Sequence, residues 1–182
     1  MDPDREATVV GYTRAHRELA SWLANATPSD LQRKSSGTRW TNEQLLFHMV
    51  FGYMIVRALL PLVRVISSLP QSWRKAFAAA LNAATVPFDM VNYWGSRAAA
   101  VVYDRYRMGR KLEKTITALA RRLERETPRS LARSMPFPTR WDPFFTADMT
   151  LAEVYAYATL HFDFHARQLT LNESDTESGP KQ

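Results

Sequence analysis

Apolar residues return at helical spacing along most of this chain, and no segment alternates them with the period of a strand. That pattern predicts an all-α fold whose core is made by helices burying one stripe each. A first helix is expected from about Asp4 to Ala26, with Val9, Tyr12, Thr13, His16, Leu19, Ala20 and Leu23 on its inner stripe. Thr27-Pro28 ends it. Thr41-Asn-Glu-Gln44 has the form of a capping box, in which a threonine hydroxyl and a side chain three residues on satisfy each other's free backbone amides. It opens a second helix carrying Leu45, His48, Gly52, Ile55, Val56 and Leu59, which Pro61 is expected to kink or end. Lys111 to Arg125 reads as a third main helix, and a second capping box, Thr150-Leu-Ala-Glu153, opens the last, which ends near Leu171.

Between the second and third main helices, Pro70, Pro87 and Gly95 interrupt shorter helical patterns, notably Trp73 to Ala84 and Asp89 to Tyr106. Residues 67–108 are therefore expected to form a helical insert in a four-helix bundle. The segment from Met135 to Phe145 holds three prolines and four aromatics, too apolar for a free linker and too proline-rich for a helix. It should pack as an ordered wall or lid. A single domain over residues 1–171 follows, with a disordered polar tail at 172–182.

The 182 residues include no cysteine, which excludes a disulfide framework, an iron-sulfur cluster, a thiolate zinc site and a cysteine nucleophile. The acidic, polar start lacks the basic and apolar regions of a secretory signal, so a cytoplasmic location is expected. The most apolar stretch, Leu45 to Leu69, contains His48, Arg57, Pro61 and Arg64. A buried helix with a solvated arginine stripe fits it better than a membrane span. A net charge of +6 would suit a nucleic-acid partner, but the basic residues are scattered and no recognised DNA- or RNA-binding motif accompanies them. There is also no glycine-rich phosphate loop, dinucleotide fingerprint or Ser-His-Asp pattern.

The chemistry concentrates in the histidines. His161 and His165, four residues apart in the last helix, differ by about 40° in direction and one turn of rise, so both imidazoles project from one face. His48 lies on the apolar face of the second helix. Taken singly, each is explained as a core histidine bonded to a carbonyl. As a trio they suit a divalent metal, since three protein ligands with an open fourth position characterise a catalytic site. Asp163, two residues from each histidine of the pair, points about 200° away, and Arg167 is directed away in the same manner. Gln44, Tyr157 and Gln168 stand four, four and three residues from a histidine, which brings them to the same side as outer-shell or substrate-contact candidates, or as plain capping and packing residues. The tripeptide Thr-Arg-Trp occurs at both 38–40 and 139–141, which does not by itself establish a duplication.

Gly37-Thr-Arg-Trp-Thr41, His48 in the helix that follows, and His161-Phe-Asp-Phe-His165-Ala-Arg-Gln-Leu169 in a capped final helix together resemble the DinB-like superfamily, which includes mycothiol-dependent maleylpyruvate isomerases and bacillithiol transferases. The resemblance implies a four-helix bundle, often homodimeric, with a divalent metal held by His48, His161 and His165. Zinc is the default ion, with nickel, iron, manganese or cobalt as alternatives. It further implies a low-molecular-weight thiol, such as mycothiol, as nucleophile or cofactor, acting on a small-molecule electrophile that aromatic residues Phe137, Trp141, Phe144 and Phe145 would wall. A non-catalytic metal- or small-ligand-binding stress-response bundle is the alternative. Related domains of iron sulfoxide synthases carry a glutamate two residues after the second histidine of the pair, where this chain has Arg167.

Overall fold

A computed structural model describes residues 3–171, with side chains described except those at 3, 88, 89, 91, 92, 96, 97 and 99–101. The tail expected at 172–182 lies outside the described residues. The elements run α1 (Pro3–Asn25), α2 (Pro28–Gln32), α3 (Asn42–Ser67), α4 (Gln71–Ala83), α5 (Thr85–Val102), α6 (Arg105–Glu124), α7 (Pro128–Leu131), β1 (Ser134–Pro136), β2 (Asp148–Thr150) and α8 (Leu151–Ala166). The fold is helical, as the periodicity requires. α1 packs on α6 and α8, while α3 packs on α8, α6 and α5.

Both capping boxes form. The Thr41 hydroxyl accepts from the Gln44 amide and the Gln44 side chain accepts from the Thr41 amide, and Thr150 and Glu153 do the same at the start of α8. Tyr12, Tyr53 and Phe162 make the centre of the core, with Tyr53 edge-on to both other rings at 5.4 and 6.2 Å between centroids. The Tyr12 hydroxyl, fully buried, donates to the Tyr155 carbonyl at 2.7 Å. Each such ring, once covered, stabilises the fold by about 1.5–3 kcal/mol. α3 is the one helix among the described residues long and apolar enough to cross a membrane, and its residues Leu45 to Val50 are all buried against the rest of the protein.

Five details depart from expectation. α3 continues to Ser67, so Pro61 does not end it. Arg57, Ala58 and Pro61 are all exposed, so the hydrogen bond that proline removes is lost on the side where water replaces it. Arg64 is not part of a solvated stripe but pairs with the buried Glu126 carboxylate. On α1 the buried stripe is Tyr12, Ala15, Leu19 and Leu23, with Thr13 and Ala20 exposed and His16 only partly covered. α6 starts at Arg105, ahead of the expected Lys111 and just inside the expected insert, because the Asp104 side chain accepts from the Arg107 amide and Met108 extends the buried stripe of Leu112, Ile116 and Leu119. Finally, β1 and β2 form a short antiparallel pair, Met135 opposite Met149, that closes the base of the aromatic segment. Three residues per strand are too few to show a period in sequence.

The segment expected as an insert forms α4 and α5, joined through Ala84, with α4 against β1 and α5 against α3. Pro87 is tolerated because it falls in the first turn of α5, where a backbone amide has no intrahelical partner.

Candidate metal centre

The loop before α3 is stitched to the end of α8, and this brings the histidines together. The buried Asn42 accepts from the Thr170 amide at 3.0 Å and donates to the Asp30 carbonyl at 2.8 Å. The Ser36 amide donates to the Gln168 carbonyl at 2.8 Å, in a turn where Gly37 takes a φ of 68° that residues with a Cβ rarely adopt. With α3 and α8 so held, His48 faces His161 and His165. Ring centroids lie 4.9 Å apart for His48 and His161, 4.8 Å for His48 and His165, and 4.6 Å for the helical pair.

One ring nitrogen from each histidine lies within 4.8 Å of the other two, and the Nε2 atoms of His48 and His161 are 3.2 Å apart. Tetrahedral zinc with bonds of about 2.0–2.1 Å separates neighbouring ligand nitrogens by about 3.3 Å. The separation of that pair therefore fits a shared ion. Burial, together with the neighbouring imidazoles, holds the His48 pKa well below its ordinary value. Burial likewise takes His161 down to about 3 and lowers His165, where Gln168 and Asp142 oppose the shift. Near neutral pH all three are uncharged bases with lone pairs available to a cation.

Around them the outer contacts differ. His165 Nδ1 lies 2.7 Å from Gln168 Oε1, which can only accept, so Nδ1 carries the proton and Nε2 is the basic nitrogen of that ring. The Tyr157 hydroxyl donates to Asp142 Oδ2 at 2.8 Å, while Gln44 is engaged in the α3 cap. His161 departs from the usual pattern of a ligating histidine, since its buried Nδ1 has no hydrogen-bond partner among the described residues. Gly52 explains the tight fit, because a Cβ there would stand 2.6 Å from that Nδ1. Asp163 forms a two-oxygen pair with Arg14 at 2.7 Å and Arg167 lies over the Phe164 ring, both directed elsewhere as the helical geometry requires.

Asp142 is the residue that helical spacing did not reveal. Its Oδ2 is 3.8 Å from His161 Nε2, and its Oδ1 accepts from the Phe144 amide at 2.9 Å. Burial raises its pKa, opposed by hydrogen bonds from Phe144 and Tyr157. It sits in an irregular segment, so no periodicity points to it. Being the lone carboxylate between Met135 and Phe145 was the available signal. Trp40 and Trp141, the ends of the repeated tripeptide, flank the same site, with Trp40 tilted over His48 at 4.4 Å between centroids.

The histidines open onto a cavity of about 290 Å³ walled by Phe51, Ile55, Phe137, Trp141 and Phe145 among others. Phe144 instead packs edge-on against Phe164, 5.7 Å between centroids. Comparison with curated proteins and with solved structures gives no match. The family profile described as the DinB superfamily does match, over residues 12–169, a span that takes in all three histidines and every element from α2 to α8. This chain therefore belongs to the DinB superfamily, and its three-histidine cluster fits a metal-binding member.

Proposed function

We propose that the protein is a divalent-metal-dependent enzyme that uses a low-molecular-weight thiol as nucleophile on a small electrophile. The observation that carries this reading is the convergence of three uncharged imidazoles at one end of an apolar cavity. His48, His161 and His165 would hold the ion, a donor set that suits zinc, nickel, iron, cobalt or manganese and leaves room for a further ligand. When bound, the ion supplies positive charge that favours thiolate over thiol.

The chain's own residues do the remainder. Gln168 fixes the tautomer of His165. Asp142, oriented by Tyr157 and the Phe144 amide, is the single carboxylate on the cavity wall among the described residues and accepts the proton the thiol gives up. Phe137, Trp141 and Phe145 keep water from the reacting pair, which strengthens the electrostatic interactions inside. The test is to incubate metal-loaded protein with mycothiol and monobromobimane as a generic electrophile. Metal-dependent thiol consumption is expected, with both metal and turnover lost in His161→Ala. Unchanged metal content and turnover in that variant would contradict the assignment.

A further inference from the structure

The cavity does not end at the histidines. Its α3 wall is His48, Gly52, Ile55, Leu59 and Leu62, residues three or four apart and therefore one continuous face of the helix. Fourteen rises of about 1.5 Å between His48 and Leu62 make this wall about 21 Å long. A volume of about 290 Å³ spread along it leaves a narrow, elongated space, at the small end of ligand pockets.

Polarity is confined to one end. Asp142, Tyr157 and the three histidines gather near His161, and among the described residues no lysine or arginine lines the cavity. Beyond them the walls are Ile55, Leu59, Leu62, Met135 and, from the insert, Leu81. A charged group in that region would lose its water with nothing to replace it, which is strongly unfavourable. The insert is anchored to the opposite wall, since the indole Nε1 of Trp141 donates to the Thr85 hydroxyl at 3.2 Å.

We propose that the substrate carries an uncharged, extended hydrocarbon or alkyl-aromatic arm, which lies along α3 from His48 towards Leu62 and ends under Leu81 of α4. This rests on the metal-dependent reading for the reactive end alone. The insert then acts as the ruler for arm length, and a free polar thiol occupies only the histidine end.

The probes are straight-chain primary alcohols from butanol to decanol, titrated calorimetrically into metal-free protein. Affinity should rise about fourfold per methylene, the factor equivalent to about 0.8 kcal/mol of buried CH₂, up to a cut-off length. Leu81→Trp should move that cut-off to shorter chains, and Leu59→Trp should do the same from the other wall, each checked for native helicity by circular dichroism. Affinity independent of chain length overturns the proposal, as does a cut-off that neither folded variant moves. A chain-length dependence that persists in a protein found to bind no metal supports the arm and sinks the metal reading, so the two failures are distinct.

Discussion

Around Glu126 three side-chain donors converge on one carboxylate, whereas around His161 three bases face one another. Both clusters are buried in the same helical core. The Glu126 carboxylate accepts from the Ser130 hydroxyl at 2.6 Å, from the Tyr155 hydroxyl at 3.0 Å and from the Arg64 guanidinium, with Arg122 at 4.0 Å. It ties α3, α6 and α8 together and closes its own account of charge and hydrogen bonds. The histidine cluster has three neutral acceptors and, among the described residues, no lysine or arginine on its cavity and no partner for His161 Nδ1. A fully paired network holds a fold. One that gathers three neutral imidazoles is suited to a cation added from outside.

The comparison is broken most forcefully at its structural half. Glu126→Ala leaves Arg64 without its buried partner and should destabilise the protein by about 3–5 kcal/mol in urea unfolding, the usual cost of halving a buried pair. Metal content of the folded fraction should not change. If that variant lost metal while keeping stability, the division between the clusters would be wrong. Gly52→Ala acts on the other half. The new Cβ must displace the His161 ring, and overpacking of this kind costs about 1–3 kcal/mol. Its diagnostic readout is weakened metal binding at a stability cost smaller than that of Glu126→Ala. Gln168→Ala should be milder still, lowering metal affinity about 10–100-fold by freeing His165 to change tautomer, with thermal unfolding of the metal-free protein nearly unmoved.

The smallest effect is in acid. Burial raises the Glu126 pKa, but hydrogen bonds from Ser130, Arg64 and Tyr155 and the Arg64 charge outweigh it and hold the group below its ordinary 4.5. A depressed folded pKa means stability that is full above the unfolded value and lost as pH falls through the folded one. The gap in thermal midpoint between the natural protein and Glu126→Gln should therefore be constant above about pH 5 and shrink below pH 4.5. A gap that widened on acidification would reverse the sign and remove the argument.

How much of this was legible without coordinates depended on whether a contact was local. The capping boxes at Thr41 and Thr150 are written within four residues and formed as written. The convergence of His48 with the His161 and His165 pair was suggested by two apolar helix faces and by the DinB-like resemblance, because a face alone does not say which helix it meets. Arg64 could not be assigned to Glu126 across 62 residues, because a surface stripe and a buried ion pair look alike in a single helix. Gly52 read as one more small residue on an apolar face, since the approach of His161 to its backbone is a property of two helices and not of one. Asp142 and the β1–β2 pair lie in or beside an irregular segment, where position is set by tertiary packing and periodicity carries no information.

The central claim is that the histidine cluster exists to hold a cation and the Glu126 cluster does not. Elemental analysis of freshly purified protein tests it directly, comparing the natural chain with His161→Ala and Glu126→Ala. The account predicts about one divalent ion per chain in the natural protein and in folded Glu126→Ala, and none in His161→Ala. Metal absent from the natural protein even after reconstitution, or retained at full occupancy in His161→Ala, would contradict it.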